Sequence, residues 1–310
     1  MADPDSAAPV REGEILDGKY RIDRVLGVGG MGVVVAATHV QLNQRVALKF
    51  LLPAALGNPQ VIERFAREAR AAVQIQSEHV ARVTDVGTLP TGSPYMVMEY
   101  LDGADLADAL EKDGPMPVAQ AVGYVLQACE AIAEAHALGI VHRDLKPANL
   151  YLARRAGRES VVKVLDFGIS KARDAGPSGL TQTSALIGSP YYMAPEQMMS
   201  AKSVDARADI WAIGIILYEL LAGEPPFVAE SMPEVVYLVT QRDPPPLRDK
   251  RPDVPEGLAD VIARCLARSP DDRYADVAKM AAALVPFGPA RSEISLERIA
   301  GVLGGAGSPP

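Results

Sequence analysis

Cysteine is nearly absent. Only Cys129 and Cys265 occur in 310 residues, with no C-x-x-C spacing, so neither a disulfide framework nor a cysteine-built zinc site is on offer. Both fall in apolar helical patterns, as buried thiols of a reducing compartment do. The expected location is therefore the cytoplasm, with membrane anchoring only if the chain continues past Pro310. Histidine is as sparse: His39, His79, His136 and His142 make no H-E-x-x-H or Cys/His pairing, which argues against zinc. Basic runs are missing too. With 31 Lys and Arg against 39 Asp and Glu, the net charge of −8 makes nucleic acid a poor partner. No apolar run reaches the ~20 residues of a membrane span. The most apolar stretch, residues 210–223, is interrupted by Glu219 and reads as a buried core helix. The N-terminus, MADPDSAAPVREGE, lacks a basic start and an apolar core, so it is no signal peptide.

What is present falls into two stretches. In LGVGGMGVVV, Gly27, Gly29 and Gly32 have the spacing G-x-G-x-x-G. Dinucleotide-binding turns use it where a strand meets a helix; phosphate-covering loops use it where a strand meets a strand. KYRIDRVLG and VVVAATHV flank the glycines with strand character, QRVALKF follows, and SPYMVMEYL is a further strand. Between the last two, NPQVIERFAREARAAVQIQ sets Ile62, Phe65, Ala69, Ala72, Val73 and Gln76 near helical spacing. After Gly103 the pattern turns helical. A helix from Pro117 to Gly139 keeps Val118, Val122, Val125, Cys129 and Ile132 near one face, and further helices fit residues 205–222, 256–268 and 274–285. RDPPPLRDKRPDVP is too proline-rich for a helix and reads as a loop. Residues 1–15 read as a flexible tail, and GVLGGAGSPP as the start of a linker or a frayed end. The expected class is α+β, without the βαβ alternation of a parallel sheet. A β-rich part with one key helix spans about 16–99, a larger α-helical part about 102–285, and an extension or linker 286–310.

The chemistry lies in short constellations. RVALKF alternates at period two, so Ala47 and Lys49 share one strand face while Val46, Leu48 and Phe50 share the other. Nineteen positions on, Glu68 sits near the apolar face of the helix. Either charge alone is ordinarily a solvated residue; their order behind a glycine loop raises them above that. VHRDLKPANL is more specific, setting Asp144, Lys146 and Asn149 in a proline-stiffened loop after a helix. His142 in that turn reads as structural rather than as an acid or base. SVVKVLDFG ends in Asp166-Phe167-Gly168, and GSPYYMAPE in Ala194-Pro195-Glu196. DFG and APE are weak singly and strong in this order.

In these residues the chain closely resembles the protein-kinase superfamily, and within it the bacterial eukaryotic-like serine/threonine kinases, over roughly residues 16–285. The resemblance implies a bilobal fold, ATP-dependent phosphoryl transfer to Ser/Thr hydroxyls, and Mg²⁺ (or Mn²⁺) as the metal. ATP would then lie on Leu26, Gly27, Val28, Gly29, Gly30, Met31, Gly32, Val33 and Val34. Glycine backbone approaches phosphates closely because no Cβ intervenes. Lys49, held by Glu68, would sit on the α/β-phosphates. Leu26, Val34, Ala47, Met98 and Tyr151 would line the adenine slot, with the Glu99 and Leu101 backbones pairing to the base and Asp105 at the ribose. Tyr151 is larger than the aliphatic residue common there. Asn149 and Asp166 would ligate the metal, Asp144 would accept or orient the hydroxyl, and Lys146 would neutralise the γ-phosphate.

The same resemblance makes Asp209 a brace for the catalytic loop and Glu196–Arg273 an ion pair anchoring the activation segment. Ordinary surface charge is the plainer reading of these three. Ser189 stands where this type often has Thr. Arg143 would meet a phosphate on Thr181 or Thr183, in a segment where Ser184 is a further hydroxyl; such a group carries about −1.5 to −2 charges. Partners would be proteins with Ser/Thr acceptors, and a second copy of the chain is a candidate. Two other readings compete. A pseudokinase scaffold would lack part of the Lys49, Asp144, Asn149 and Asp166 set, which is complete. A nicotinamide-dependent oxidoreductase would need a helix opening at Gly32, where VVVAA stands instead.

Overall fold

The structure, a computed structural model, describes residues 9–29, 32–155, 157–167, 189–199 and 204–305. They divide into two compact units: one of residues up to Gln74 together with Ala81–Asp102, the other of Ile75–Val80 and Gly103 onward.

The first unit is an antiparallel sheet with one long helix. Strands β1 (Ile15–Leu16), β2 (Tyr20–Val28), β3 (Gly32–His39), β4 (Gln44–Leu51), β5 (Val83–Thr88) and β6 (Pro94–Glu99) order as β1-β2-β3-β4-β6-β5. Period-two alternation sends Val33, Val35, Val46, Leu48, Phe50, Tyr95 and Val97 to one core cluster. Helix α1 (Pro59–Gln74) covers a second cluster, where its Phe65 and Ala69 meet Leu51, Val83 and Met96. Two expectations change here. Val73 is 59% exposed and α1 stops at Gln74, so neither Val73 nor Gln76 belongs to the buried stripe. The expected tail is folded from residue 9: Val10 is buried in the sheet core, and Gly13 N–H donates to Ile22 O at 2.9 Å.

The second unit is built around two helices, α3 (Val118–Ala137) and α5 (Arg207–Ala222). The sheet of β7 (Gly103–Asp105), β8 (Leu150–Arg155) and β9 (Arg158–Val164) and helix α2 (Leu106–Asp113) complete its start. Helix α5 contains the most apolar stretch and is buried on nearly every side. Gly223, at φ 89°, closes it in the left-handed conformation glycine takes without penalty. Helices α4 (Pro195–Met199), α6 (Met232–Gln241), α7 (Leu247–Lys250), α8 (Glu256–Cys265) and α9 (Val277–Leu284) follow. The proline-rich loop thus holds a single helical turn, α7, beginning right after Pro246, where a proline removes no helical hydrogen bond.

A last helix, α10 (Ser292–Gly305), runs through Gly301–Gly305, where the composition reads as linker. Glycine disfavours a helix by about 1 kcal/mol per residue. Packing overrides this: Ile299 is fully buried, and Leu296, Val302 and Leu303 lie against the core.

Candidate active site

The glycine loop joins a strand to a strand: β2 ends at Val28 and β3 begins at Gly32, with Gly29 N–H donating to Gly32 O at 2.8 Å. This removes the dinucleotide reading. Gly30 and Met31 lie outside the described residues. The fold itself demands Gly32, since a Cβ there would come within 2.6 Å of the Phe50 carbonyl oxygen. Gly27 is different: among the described residues a Cβ there would meet nothing within 4 Å.

Register sorts the neighbouring side chains. Gly27 pairs with Val34, Val34 with Lys49, and Ala47 with both Ala36 and Met98. Directly opposed residues share a face, so Val34, Ala47, Lys49 and Met98 stand together, opposite the buried Val33 set. The expectation that Val33 contacts ATP is therefore corrected for its side chain, which is fully buried in the sheet core. Leu26 and Val28 are exposed, and Glu99 and Leu101 half-buried. Lys49 Nζ meets Glu68 Oε1 at 2.7 Å, with the side chains 14% and 20% exposed. The strand lysine and the helix glutamate are thus a pair in fact.

In the second unit the loop after α3 is held from below by one carboxylate. Asp209, fully buried on α5, accepts from His142 N–H at 2.9 Å and Arg143 N–H at 2.8 Å, and from His136 Nε2 at 2.8 Å. Burial pushes this carboxyl up, but the His136 hydrogen bond and charge, His142 and the Arg143 amide outweigh it, and the net shift is downward. Arg143 has φ 65°, a left-handed backbone that costs a non-glycine residue about 1–3 kcal/mol. Two adjacent amides bound to one buried carboxylate are what sustain it.

His142 works in the same scaffold. Its Nδ1 accepts from Asp144 N–H at 3.3 Å, and its Nε2 donates to Leu165 O at 3.0 Å, which makes it the neutral Nε2–H tautomer. Burial lowers its pKa, against the opposing pull of Asp209 and the Leu165 carbonyl. These contacts fit the structural role expected of it.

Above this base stand the reactive groups. Asn149 Nδ2 donates to the Asp144 carbonyl at 2.7 Å, which leaves the amide oxygen of Asn149 as the end able to ligate. Lys146 Nζ lies 3.5 Å from Asp144 Oδ2. Asp166 has φ 52°, a second left-handed residue, while Gly168 lies outside the described residues. Tyr151 on β8 stands opposite Asp105 on β7, both half-buried. Asp105 has a task in the fold itself: its Oδ1 caps α2 by accepting from Ala107 and Asp108 N–H, both at 2.9 Å. Among the described residues no group of three or more His, Cys, Asp or Glu could hold a metal. Asp166 and Asn149 offer two hard oxygens, a set that suits a hydrated divalent cation also bound by phosphates.

Glu196 and Arg273 form a saturated pair. Arg273 donates to Glu196 Oε1 and Oε2 at 2.7 and 2.8 Å, and its other donors reach the carbonyls of Ala267, Arg207 and Arg268. The plainer reading, surface charge, fails for Arg273 and for Asp209, both buried. Thr181, Thr183 and Ser184 lie outside the described residues. The Arg143 guanidinium donates to Val204 O at 3.2 Å.

Sequence reasoning missed three contributors. His136 reaches Asp209 across 73 residues. Gln197 accepts from Ala194 N–H at 2.9 Å and donates to Arg143 O at 3.0 Å. Glu219, in the apolar helix α5, accepts from Tyr192 Oη at 2.7 Å, and burial pushes its carboxyl up to about 7. The position of Gln197 directly after APE was the one local signal.

Comparison with known proteins follows the same residues. The family model for the protein kinase domain matches residues 20–284. The chain is 40% identical over 273 residues to serine/threonine-protein kinase PknB of Mycobacterium leprae, covering 87% of this chain and 43% of that one. It is 43% identical over 269 residues to serine/threonine-protein kinase Pkn1 of Myxococcus xanthus, covering 86% and 38%. The chain thus spans less than half the length of these curated relatives. Among solved structures, the PknI kinase domain of Mycobacterium tuberculosis is similar at a TM-score of 0.69 and 30% identity, covering 89% of this chain and 98% of that one.

Proposed function

The chain belongs to the protein kinase domain family, and we propose that it transfers the γ-phosphoryl group of ATP to Ser and Thr hydroxyls of proteins, a second copy of itself among them. The observation that carries this reading is the loop in which Asp144 accepts from Asn149 at its carbonyl and pairs with Lys146 at its carboxylate, while the buried Asp209 holds the amides of His142 and Arg143. Phosphoryl transfer asks mainly for positioning and charge, and this loop is hydrogen-bonded where positioning matters.

Asp144 orients the acceptor hydroxyl and takes its proton as the oxygen bonds to the γ-phosphorus and ADP leaves. Lys146 adds positive charge beside the transferring group. Lys49, aligned by Glu68, holds the α/β-phosphates, and the open space over Gly27 is room for phosphate oxygens. Val34, Ala47 and Met98 share the sheet face that would receive the adenine, with Tyr151, Asp105, Glu99 and Leu101 completing the nucleotide contacts. A divalent cation, Mg²⁺ or Mn²⁺, held by Asp166 and Asn149, would neutralise phosphate charge. Phosphate on Thr181 or Thr183 would pair with Arg143, and Glu196–Arg273 would anchor the far end of that segment. No helix among the described residues is long and apolar enough to cross a membrane. Both cysteines are free and buried, which fits work in the cytoplasm.

The test incubates the protein with labelled ATP and Mg²⁺ beside Asp144→Asn, then maps phosphate over residues 166–196 by mass spectrometry. Wild type should label Thr181 or Thr183, and Asp144→Asn should lose about a thousandfold in rate. ATP binding without transfer, to itself or to a generic acceptor protein, would turn the reading toward a scaffold.

A further inference from the structure

Gln197 is the third residue of α4, and its local task is plain. Its Oε1 accepts from Ala194 N–H at 2.9 Å, just ahead of the helix, while its own backbone N–H donates to Ala194 O at 2.9 Å. A Gln or Glu at this place often reaches back in this way, because the first amides of a helix have no partner within it. Glutamate would do so equally well, and its charge suits a helix N-terminus better. The cap alone therefore does not ask for an amide.

The other end of the side chain does. Only the amide oxygen can accept from an N–H, so Oε1 faces Ala194 and leaves Nε2 to donate to Arg143 O at 3.0 Å. A carboxylate has no hydrogen to donate there. The carbonyl it reaches is a special one. Arg143 stands in the left-handed conformation at φ 65°, and its carbonyl belongs to the peptide unit that leads into Asp144.

The peptide units on both sides of Arg143 are held. Asp209 holds the one before it, accepting Arg143 N–H at 2.8 Å. The one after it is held at both ends: Asp144 N–H donates to His142 Nδ1 at 3.3 Å, and Arg143 O accepts from Gln197. Of these two bonds the Gln197 one is the shorter, and it comes from another element. A non-glycine residue persists in such a conformation only where its surroundings over-determine it.

We propose that Gln197 is a positioning residue for phosphoryl transfer: its amide fixes the Arg143–Asp144 peptide and, through it, the direction of the Asp144 carboxylate. This rests on the reading of Asp144 as the group that orients the acceptor hydroxyl. One side chain joins the start of α4 to the catalytic loop, and an amide supplies the acceptor and the donor together.

The experiment uses the 310-residue chain with Gln197→Glu, Gln197→Met and Asp144→Asn. The readouts are kcat toward a generic acceptor protein, KM for ATP and Tm, over a range of pH. At about pH 8, Gln197→Glu keeps the acceptor and loses the donor. Its kcat should fall about tenfold, with KM for ATP within about twofold and Tm within about 3 °C of wild type. Toward about pH 5.5 the introduced carboxyl, half-buried and turned to a carbonyl oxygen, takes up a proton and can donate again. Its kcat relative to wild type at the same pH should then rise at least about threefold. Gln197→Met lacks both groups, and its deficit should not narrow.

Wild-type kcat in Gln197→Glu at about pH 8 overturns the proposal, and so does a deficit that stays constant with pH. A larger fall in Tm assigns the loss to folding and overturns it too. Asp144→Asn separates the two layers. If it keeps full kcat, the reading of Asp144 falls and the proposal with it; if it loses kcat, the Gln197 variants decide between the outcomes above.

Discussion

The two ion pairs Lys49–Glu68 and Arg273–Glu196 are both formed at 2.7 Å, yet they are opposite kinds of object. Arg273 has no exposed side-chain surface, and each of its guanidinium nitrogens meets an oxygen. The planar fork suits that saturation. Lys49 presents a compact ammonium on a flexible stem, still 14% exposed, on the sheet face it shares with Val34, Ala47 and Met98. A pair that holds a fold is closed to further ligands. A pair that serves chemistry would keep its cation accessible to a second anion, which in the proposed function is the phosphates of ATP.

The comparison breaks most visibly at Arg273. Arg273→Ala leaves Glu196 without its cation and removes one donor from each of three carbonyls, and should destabilise the protein by about 3–5 kcal/mol. Thermal and denaturant unfolding would read this directly. A loss under ~1 kcal/mol would mean that the saturation seen around Arg273 contributes no stability.

A smaller effect sharpens the contrast from a third acid. Glu219 bonds Tyr192 but among the described residues has no cation to hold it ionised, and burial raises its carboxyl from the ordinary 4.5 to about 7. Folding therefore favours its protonated form. Its stabilising contribution is complete below about pH 4.5, falls as pH rises, and is gone above about 7. Glu219→Gln should flatten this dependence. Between about pH 5 and about pH 8, wild-type Tm should fall by on the order of 2 °C more than that of the variant. Parallel curves would show that Glu219 does not titrate in this window.

How much of this was legible in the sequence follows from how far apart the cooperating atoms lie along the chain. The loop from His142 to Asn149 carries its chemistry in eight consecutive residues, so it could be read outright. Lys49 and Glu68 could be paired by order, since a strand and the next helix bring them together. Asp209 was identifiable only through resemblance, and its partner His136 not at all, because their contact spans 73 residues and belongs to the packing of α3 on α5. The Val33 side chain is hidden for a different reason: a run of consecutive loop residues says nothing of alternation, and strand alternation turns every second side chain into the core. Helix α10 was hidden by its own composition: its glycines signal a linker, and its stability comes from α3 and the core.

The most direct test of the distinction between the two pairs measures Tm and kcat/KM for ATP on one variant, Lys49→Met. The expected result is a fall in kcat/KM of at least about a hundredfold, with Tm within about 2 °C of wild type. Transfer at the wild-type rate, or a drop in Tm as large as that of Arg273→Ala, would contradict the distinction.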